Sequence, residues 1–416
     1  MAALSLFFLL APIIIGIYRK VNIGLCAFGS VLILGAIGKI NVKTIQAGFP
    51  TSLFMTLLGV MMLFAIAQDN KTLEVIARKI VALAGKRTFL IPIVIYVFAT
   101  ILAGIGPGTV PVMGVMAPFT CSLAAEMGIS PLLFCAVSIL GAAGGGLTPV
   151  APTGILGLSL AAKQGIEGVE FAYAANSVIA QTVYFIVVYF VLGGYKLKPK
   201  TEASELIQVT KFDRNQIFTI VGMLVMVICV IGLRYDVGLV CFSVSFALLL
   251  LKACNEKKAI AAIPWGTLFM IAGIQTLMGM VIKLGGIDLL VNGLAKLMTP
   301  KTAPGVIGLT AGIMSWFSST SGVVMPTLIP TIGGIMEKVG GVTAIALLSA
   351  ITNTAHVAGT SPLSNGGSMG LAAYSAIANP TQEEQSKLFV RLFLVSAGGV
   401  LTVTLVDLTG VYNLFG

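Results

Sequence analysis

Apolar runs of bilayer length alternate with short polar breaks from one end of the chain to the other. They fall at about 4–18, 22–38, 52–68, 88–105, 131–162, 170–193, 215–233, 236–251, 264–283, 304–317, 342–378 and 388–409. Several reach the roughly 20 residues that a helix needs to span hydrocarbon. None shows the short apolar–polar alternation of a barrel strand. The pattern predicts an all-α membrane protein. The opening "MAALSLFFLLAPIIIGIY" lacks a basic n-region and reads as a retained first span, not a cleaved signal.

One hydrophilic stretch divides the pattern, "YKLKPKTEASELIQVTKFDRNQ" (195–216). It predicts a first membrane repeat over 1–194, a polar linker over 195–214 and a second membrane repeat over 215–416. The two halves resemble each other. "PTSLFMTLLGVMMLFAIA" (50–67) matches "PWGTLFMIAGIQTLMGMV" (264–281), and each is followed by a short amphipathic segment, 71–87 and 285–301. Such helices favour the interface over a crossing. Leu53 and Leu268 are 215 apart, Thr109 and Thr320 are 211 apart, and Pro149 and Pro362 are 213 apart. Landmarks in one order at nearly one offset indicate an internal duplication.

Each half also carries two interruptions inside apolar sequence. Glycine- or serine-rich hairpin tips occur in "GIGPGTVPVMGVMAPF" (104–119) and "WFSSTSGVVMPTLIP" (316–330). Broken spans follow, "GGGLTPVAPTG" (144–154) and "HVAGTSPLSNGG" (356–367). Backbone left unpaired in lipid costs several kcal/mol per group, so such breaks persist only against protein or a wet cavity. Matched discontinuous helices in two halves point to a transport site near the bilayer midplane. The fold expected is two structural repeats with re-entrant hairpins and broken transmembrane helices.

Composition agrees with this class. Apolar residues make up 57% of the 416 and charged residues 10%, with a mean hydropathy of +1.03. That leaves too little polar surface for a soluble domain. The net charge of +10 is scattered over short loops, as topology-setting lysines and arginines are, so no nucleic-acid partner is expected. The six cysteines lack ligand spacing and read as packing residues. No P-loop is present, and no H-E-x-x-H or paired serine and histidine marks an enzyme.

The residues expected to bind a substrate anion are Thr109, Thr148, Pro149, Thr153, Ser318, Ser319, Thr320, Thr360, Ser361, Pro362, Asn365 and His356. Hydroxyl and amide donors hold a carboxylate without a formal positive charge. A cation would find oxygen at Gly108, Thr109, Gly154, Ser319, Thr320 and Asn353. The bland alternative is that small residues let helices approach and hydroxyls bond the preceding turn; the matched pairs favour function. His356 is the single histidine, suited to grip a carboxylate when protonated or to sense pH, or else to sit buried and neutral. Among the acids, Asp407 alone lies in an apolar segment and, near Tyr412, reads as interfacial. With buried acids scarce, sodium is expected over protons, and no other cofactor or metal is called for.

At these residues the chain resembles the ion transporter superfamily, which includes the divalent anion:sodium symporters, and within it the MatC-like malonate/dicarboxylate carriers. "GIGPGTVPVMGVMAPF" and "GAAGGGLTPVAPTGILG" carry the likeness, which runs through both repeats. The resemblance implies a homodimeric elevator in which a scaffold dimerises and a transport region carries the anion across. In the divalent anion symporters each hairpin tip bears a Ser-Asn-Thr triplet. Here the tips read Pro107-Gly108-Thr109 and Ser318-Ser319-Thr320, keeping both threonines and neither asparagine.

The expected function is secondary transport of a small di- or tricarboxylate, malonate or a C4 acid, coupled to a cation gradient in a bacterial inner membrane. The rivals are the membrane subunit of a binding-protein-dependent (TRAP-type) dicarboxylate transporter and an anion channel. The superfamily's inverted repeats require an odd number of crossings per half, whereas the apolar segments number six per half.

Overall fold

The computed structural model describes residues 1–19, 21–82, 87–197, 211–378 and 381–415. The regular structure among them is helical. The first half comprises α1 (Ala2–Arg19), α2 (Ile23–Ile37), α3 (Val42–Ala47), α4 (Thr51–Asp69), α5 (Thr72–Ala82), α6 (Ile91–Gly104), α7 (Thr109–Glu126), α8 (Pro131–Gly145), α9 (Pro152–Ala162) and α10 (Glu170–Val191). The second comprises α11 (Arg214–Val227), α12 (Val237–Leu250), α13 (Glu256–Ala262), α14 (Trp265–Lys283), α15 (Gly286–Ala295), α16 (Ala303–Trp316), α17 (Met325–Leu328), α18 (Ile332–Val339), α19 (Ala344–Ala358), α20 (Asn365–Ala378) and α21 (Gln382–Leu408). A π-helical turn, Thr320–Val324, leads into α17. Together this turn, α17 and α18 stand where the first half has α7. Of the expected linker, 198–210 lies outside the described residues.

Four helical stretches are long and apolar enough to cross a bilayer, among the described residues: Val42–Asp69, Glu170–Val191, Trp265–Lys283 and Ser386–Leu408. They form two equivalent pairs. The protein is an all-α membrane protein whose exposed apolar side chains, such as Phe7, Leu32, Leu239 and Leu405, suit a lipid-facing surface.

The halves grip each other through a repeated contact. Helix α2 packs along α14, and α12 packs along α4. At the first contact Gly273 lies so close to Gly24 that a Cβ would overlap its backbone; at the second, Gly59 does the same against Gly238. Gly24 is the equivalent of Gly238, and Gly59 of Gly273. Without a hydrophobic drive between helices in lipid, such close backbone approach through small residues supplies the packing.

The contacts also fix the sense of each repeat. Gly48, just before α4, abuts Thr276, while Met61 shares a cavity with Thr267 and Ile271. As α4 advances, its partners on α14 recede, so these two equivalent helices run in opposite directions. The repeats are inverted.

Parity of crossing then follows from the hairpins. Tyr96 meets Gly141 and Thr100 meets Gly145, so α6 runs parallel to α8. Thr109 meets Gly146, whereas Cys121 faces Cys135, so α7 runs antiparallel to α8. Thus α6 and α7 form a hairpin that returns to its starting side. Helix α10 passes back beside the whole broken span, with Tyr173 at Gly157 and Ser177 bonded to Ala143 O. With that hairpin set aside, the apolar segments of the first half number five: α1, α2, α4, α8–α9 and α10. The count of six in the first half falls by one, because the hairpin arm α6 has the composition of a span without adding a net crossing.

The amphipathic segments form α5 and α15. Leu73 and Ala77 are buried on α5, with Arg78 paired to Glu74 on its other side. On α15, Ile287, Val291 and Leu294 are buried.

Candidate functional site

Each span breaks in the same way. Helix α8 ends at Gly145 and α9 begins at Pro152; α19 ends at Ala358 and α20 begins at Asn365. Inside the first break Ala151 N donates to Thr148 O at 3.1 Å, and Gly154 N donates to Gly146 O at 3.1 Å. The second break repeats both bonds, from Ser364 N to Ser361 O at 2.9 Å and from Gly367 N to Gly359 O at 3.0 Å. All four pairs share one offset, so the unwound turns have one architecture. Gly154 and Gly367 have no room for a side chain, since a Cβ would strike the carbonyls of Thr148 and Ser361. The motif's glycines thus let the chain fold tightly over itself.

Each hairpin tip docks on the break of its own half. Thr148 Oγ1 donates to Gly104 O at 2.7 Å, and Ser361 Oγ donates to Trp316 O at 3.3 Å. The tips themselves differ. The first turns through Gly106 (φ 141°) and Gly108 (φ 75°), conformations that favour glycine. The second uses Ser319, whose Oγ accepts from Gly322 N, followed by the π-helical turn.

The second tip is also more firmly tied. Ser315 Oγ donates to Ala355 O at 2.8 Å and Thr320 Oγ1 to the same oxygen at 2.9 Å, while Ser364 Oγ donates to Ser318 O. Ser318 Oγ itself bonds Met314 O. In the first half the position of Ser315 is held by Ala103, and Thr109 Oγ1 is buried without a partner.

The two tips and two breaks border a narrow, partly open pocket lined by Thr109, Val110, Met113, Thr153, Ser319, Thr320, Ser321, His356, Gly359, Ser364 and Gly366. An adjoining narrow space shares Thr109, Val110, Thr153 and Ser321 and extends to Met61, Pro264 and Ile271. No acidic side chain lines either space. Three helices present their first turns there: α7 at Thr109, α9 at Pro152 and Thr153, and α20 at Gly366. Helix N-termini carry free N–H groups and partial positive charge. The His356 Nδ1 is likewise buried without a partner. The arrangement suits a small anion.

The structure brings together Thr109, Thr153, Ser319, Thr320 and His356 from the expected set. Others serve the scaffold: Thr148 and Ser361 hold the tips, and Thr360 Oγ1 bonds Val357 O. Pro149 is exposed and Pro362 buried, neither lining the cavity. Asn365 opens α20, and its side chain lies outside the described residues. The oxygens expected for a cation are divided. Gly108 abuts Pro152 and Gly154 closes the first break, whereas Asn353 lies on α19 without lining the pocket, both its amide atoms buried and unpartnered.

Ser321 and Ser364 join the cavity without having been expected. Both stand inside the quoted motifs, so the signal was present. Met61, Pro264 and Ile271 come from the opposing repeat's first long helix or its own, and only tertiary packing reveals them. Asp407 requires a correction. It is 2% exposed, not interfacial, and its Oδ2 accepts from Thr354 Oγ1 at 2.8 Å. Folding of the last helix against α16 and α19 covers it.

Residues 1–146 match the family described as dicarboxylate carrier protein MatC N-terminus, a match that ends at the first break. The fold is similar to that of the Alcanivorax borkumensis YdaH transporter, whose crystal structure was described as revealing an unusual topology. That likeness has a TM-score of 0.60 at 13% identity and covers 96% of this chain and 98% of that one. No curated protein matches the chain.

Proposed function

We propose that this protein is a secondary carrier of small dicarboxylates, with malonate or a C4 acid as substrate, driven by a cation gradient. The observation that carries the reading is the cavity itself. Two inverted repeats bring hairpin tips and helix breaks to one point, where hydroxyls, three helix N-termini and an unpartnered imidazole meet without an acidic side chain. Fixed dipoles and neutral donors of this kind stabilise an anion yet let it leave, as a carrier requires. The match of the first 146 residues to a dicarboxylate carrier family supports the substrate class.

In this reading Thr109 and Thr153 donate to one carboxylate from the first half. Ser319, Ser321 and His356 serve the other from the second, and Thr320, tied to Ala355 O beside Ser315, holds the tip in place. The tips move with their breaks, because Thr148 and Ser361 bind each tip to its own broken span. A rigid transport unit of that sort suits elevator movement against a scaffold in a homodimer, in a bacterial inner membrane. Matched breaks meeting at one pocket favour alternating access over the continuous pore of a channel.

A thermal-shift screen of mono-, di- and tricarboxylates tests the proposal. Malonate or succinate should raise the unfolding temperature in a concentration-dependent way, since a ligand of the folded state stabilises it. Stabilisation by monocarboxylates alone, or by no carboxylate, would refute the substrate assignment.

A further inference from the structure

Behind the second broken span lies a buried polar cluster that the anion cavity does not use. Asp407 Oδ2 accepts from Thr354 Oγ1, and its Oδ1 has no partner. The Tyr412 hydroxyl, also buried, lies within interaction range of both Asp407 and Asn353 but meets neither in full hydrogen-bond geometry. Asn353 is fully buried with neither amide atom bonded, while its carbonyl accepts from Gln181 Nε2 at 3.1 Å. Buried polar groups are rarely left unpaired, so several at one point indicate a missing occupant or proton.

Charge decides which. The elements packed against the carboxyl bring no counter-ion: α16 and α19 contain no Lys, Arg, Asp or Glu. His356, the titratable residue of α19, lines the anion cavity instead. From α10, Tyr173 interacts with Thr352 and Tyr184 bonds Val395 O, while Glu170 sits at the exposed start of that helix. The C-terminal turn contributes Tyr412. An ionised carboxylate without a partner in such a place costs several kcal/mol. Space argues the same way. Gly308 presses against Oδ2 so closely that a Cβ there would collide with it, leaving that oxygen no room for a metal ion. A proton needs no cavity, and as Oδ1–H the group would donate to the Tyr412 hydroxyl.

We propose that Asp407 is a proton-binding site, and that through it the carrier couples to a proton gradient. The coupling half of this inference rests on the transport reading above. One proton bonds to the carboxylate on the side of high proton concentration and returns to water on the other, with no electrons transferred. The link to the anion cavity is α19: Thr354 holds the carboxyl, Asn353 faces Tyr412, and the same helix carries His356 to the cavity. Gain or loss of charge at Asp407 therefore acts on the broken span that lines the anion cavity.

Infrared difference spectroscopy of the purified protein tests the site without substrate. Wild type should show the carbonyl stretch of a protonated, buried carboxylic acid at neutral pH, and Asp407→Asn should lack it. Because Asn mimics the protonated acid, D407N should fold, and the fall in thermal stability of the wild type with rising pH should flatten in it. A folded state that holds a proton the unfolded chain releases loses stability as pH rises. Should D407N not fold, Tyr412→Phe should shift the same band. A wild type without the band, or one stabilised by sodium in an Asp407-dependent manner, overturns the proton site. Dicarboxylate uptake indifferent to an inward proton gradient overturns the coupling, whereas absence of any dicarboxylate uptake while the band persists tells against the carrier reading alone.

Discussion

Thr148 Oγ1 donates a 2.7 Å hydrogen bond to Gly104 O, joining the first helix break to the arm of the first hairpin. Ser361 and Trp316 make the equivalent bond at 3.3 Å in the second half. The partners are far apart in sequence, so the bond defines which hairpin moves with which span. Removing it in Thr148→Val should cost about 1 kcal/mol, the net worth of one such bond, read as a lower unfolding temperature. The longer Ser361 bond predicts a smaller loss in Ser361→Ala. Equal stability of T148V and wild type would show that the bond contributes nothing.

Thr109 and Thr320 occupy matching tips, yet only Thr320 has its hydroxyl engaged, by Ser315 and Ala355 O. Thr109→Val should leave stability near wild type and weaken dicarboxylate binding by about tenfold, the equivalent of one hydrogen bond to a charged acceptor. Thr320→Val should lower stability as well as affinity. Binding isotherms paired with unfolding curves separate the two; an undiminished affinity in T109V would remove this residue from the site.

Gly154 and Gly367 each fold over a carbonyl of their own break. An alanine at either position must displace backbone, not a flexible side chain, and overpacking of that kind costs about 1–3 kcal/mol. Both variants should lose ligand-induced stabilisation, because the first turns of α9 and α20 would shift away from the cavity. Full retention of the thermal shift in either variant would mean the turns do not shape the site.

The inverted pairing of repeats predicts equal penalties at equivalent glycines. Gly59→Ala and Gly273→Ala should each destabilise by about 1–3 kcal/mol. Gly29→Ala, where a Cβ meets nothing within 4 Å, should instead gain up to about 1 kcal/mol from helix propensity. Unequal penalties at the paired sites would argue against the two-fold arrangement.

The positions of the breaks were legible because glycine and proline inside apolar sequence have few uses in lipid, and a second copy at one offset excludes accident. The unequal tips were not legible. Both end in threonine, and the difference lies in whether Ser315 or Ala103 stands five or six residues earlier, facing another helix. The crossing number misled for a related reason: α6 is as apolar as a span, and only its direction along α8 shows it to be a hairpin arm. Asp407 was misplaced because its burial comes from α16, α19 and the C-terminal turn folding over it. Of these only the C-terminal turn is adjacent in the hydropathy pattern.

Uptake of labelled malonate and succinate by liposomes containing only this protein addresses the central claim most directly. The account predicts saturable uptake that is accelerated by an inward cation gradient, competed by unlabelled dicarboxylates and weakened in T109V. No uptake by the lone chain, or flux that rises without saturation and ignores competitors, would contradict it.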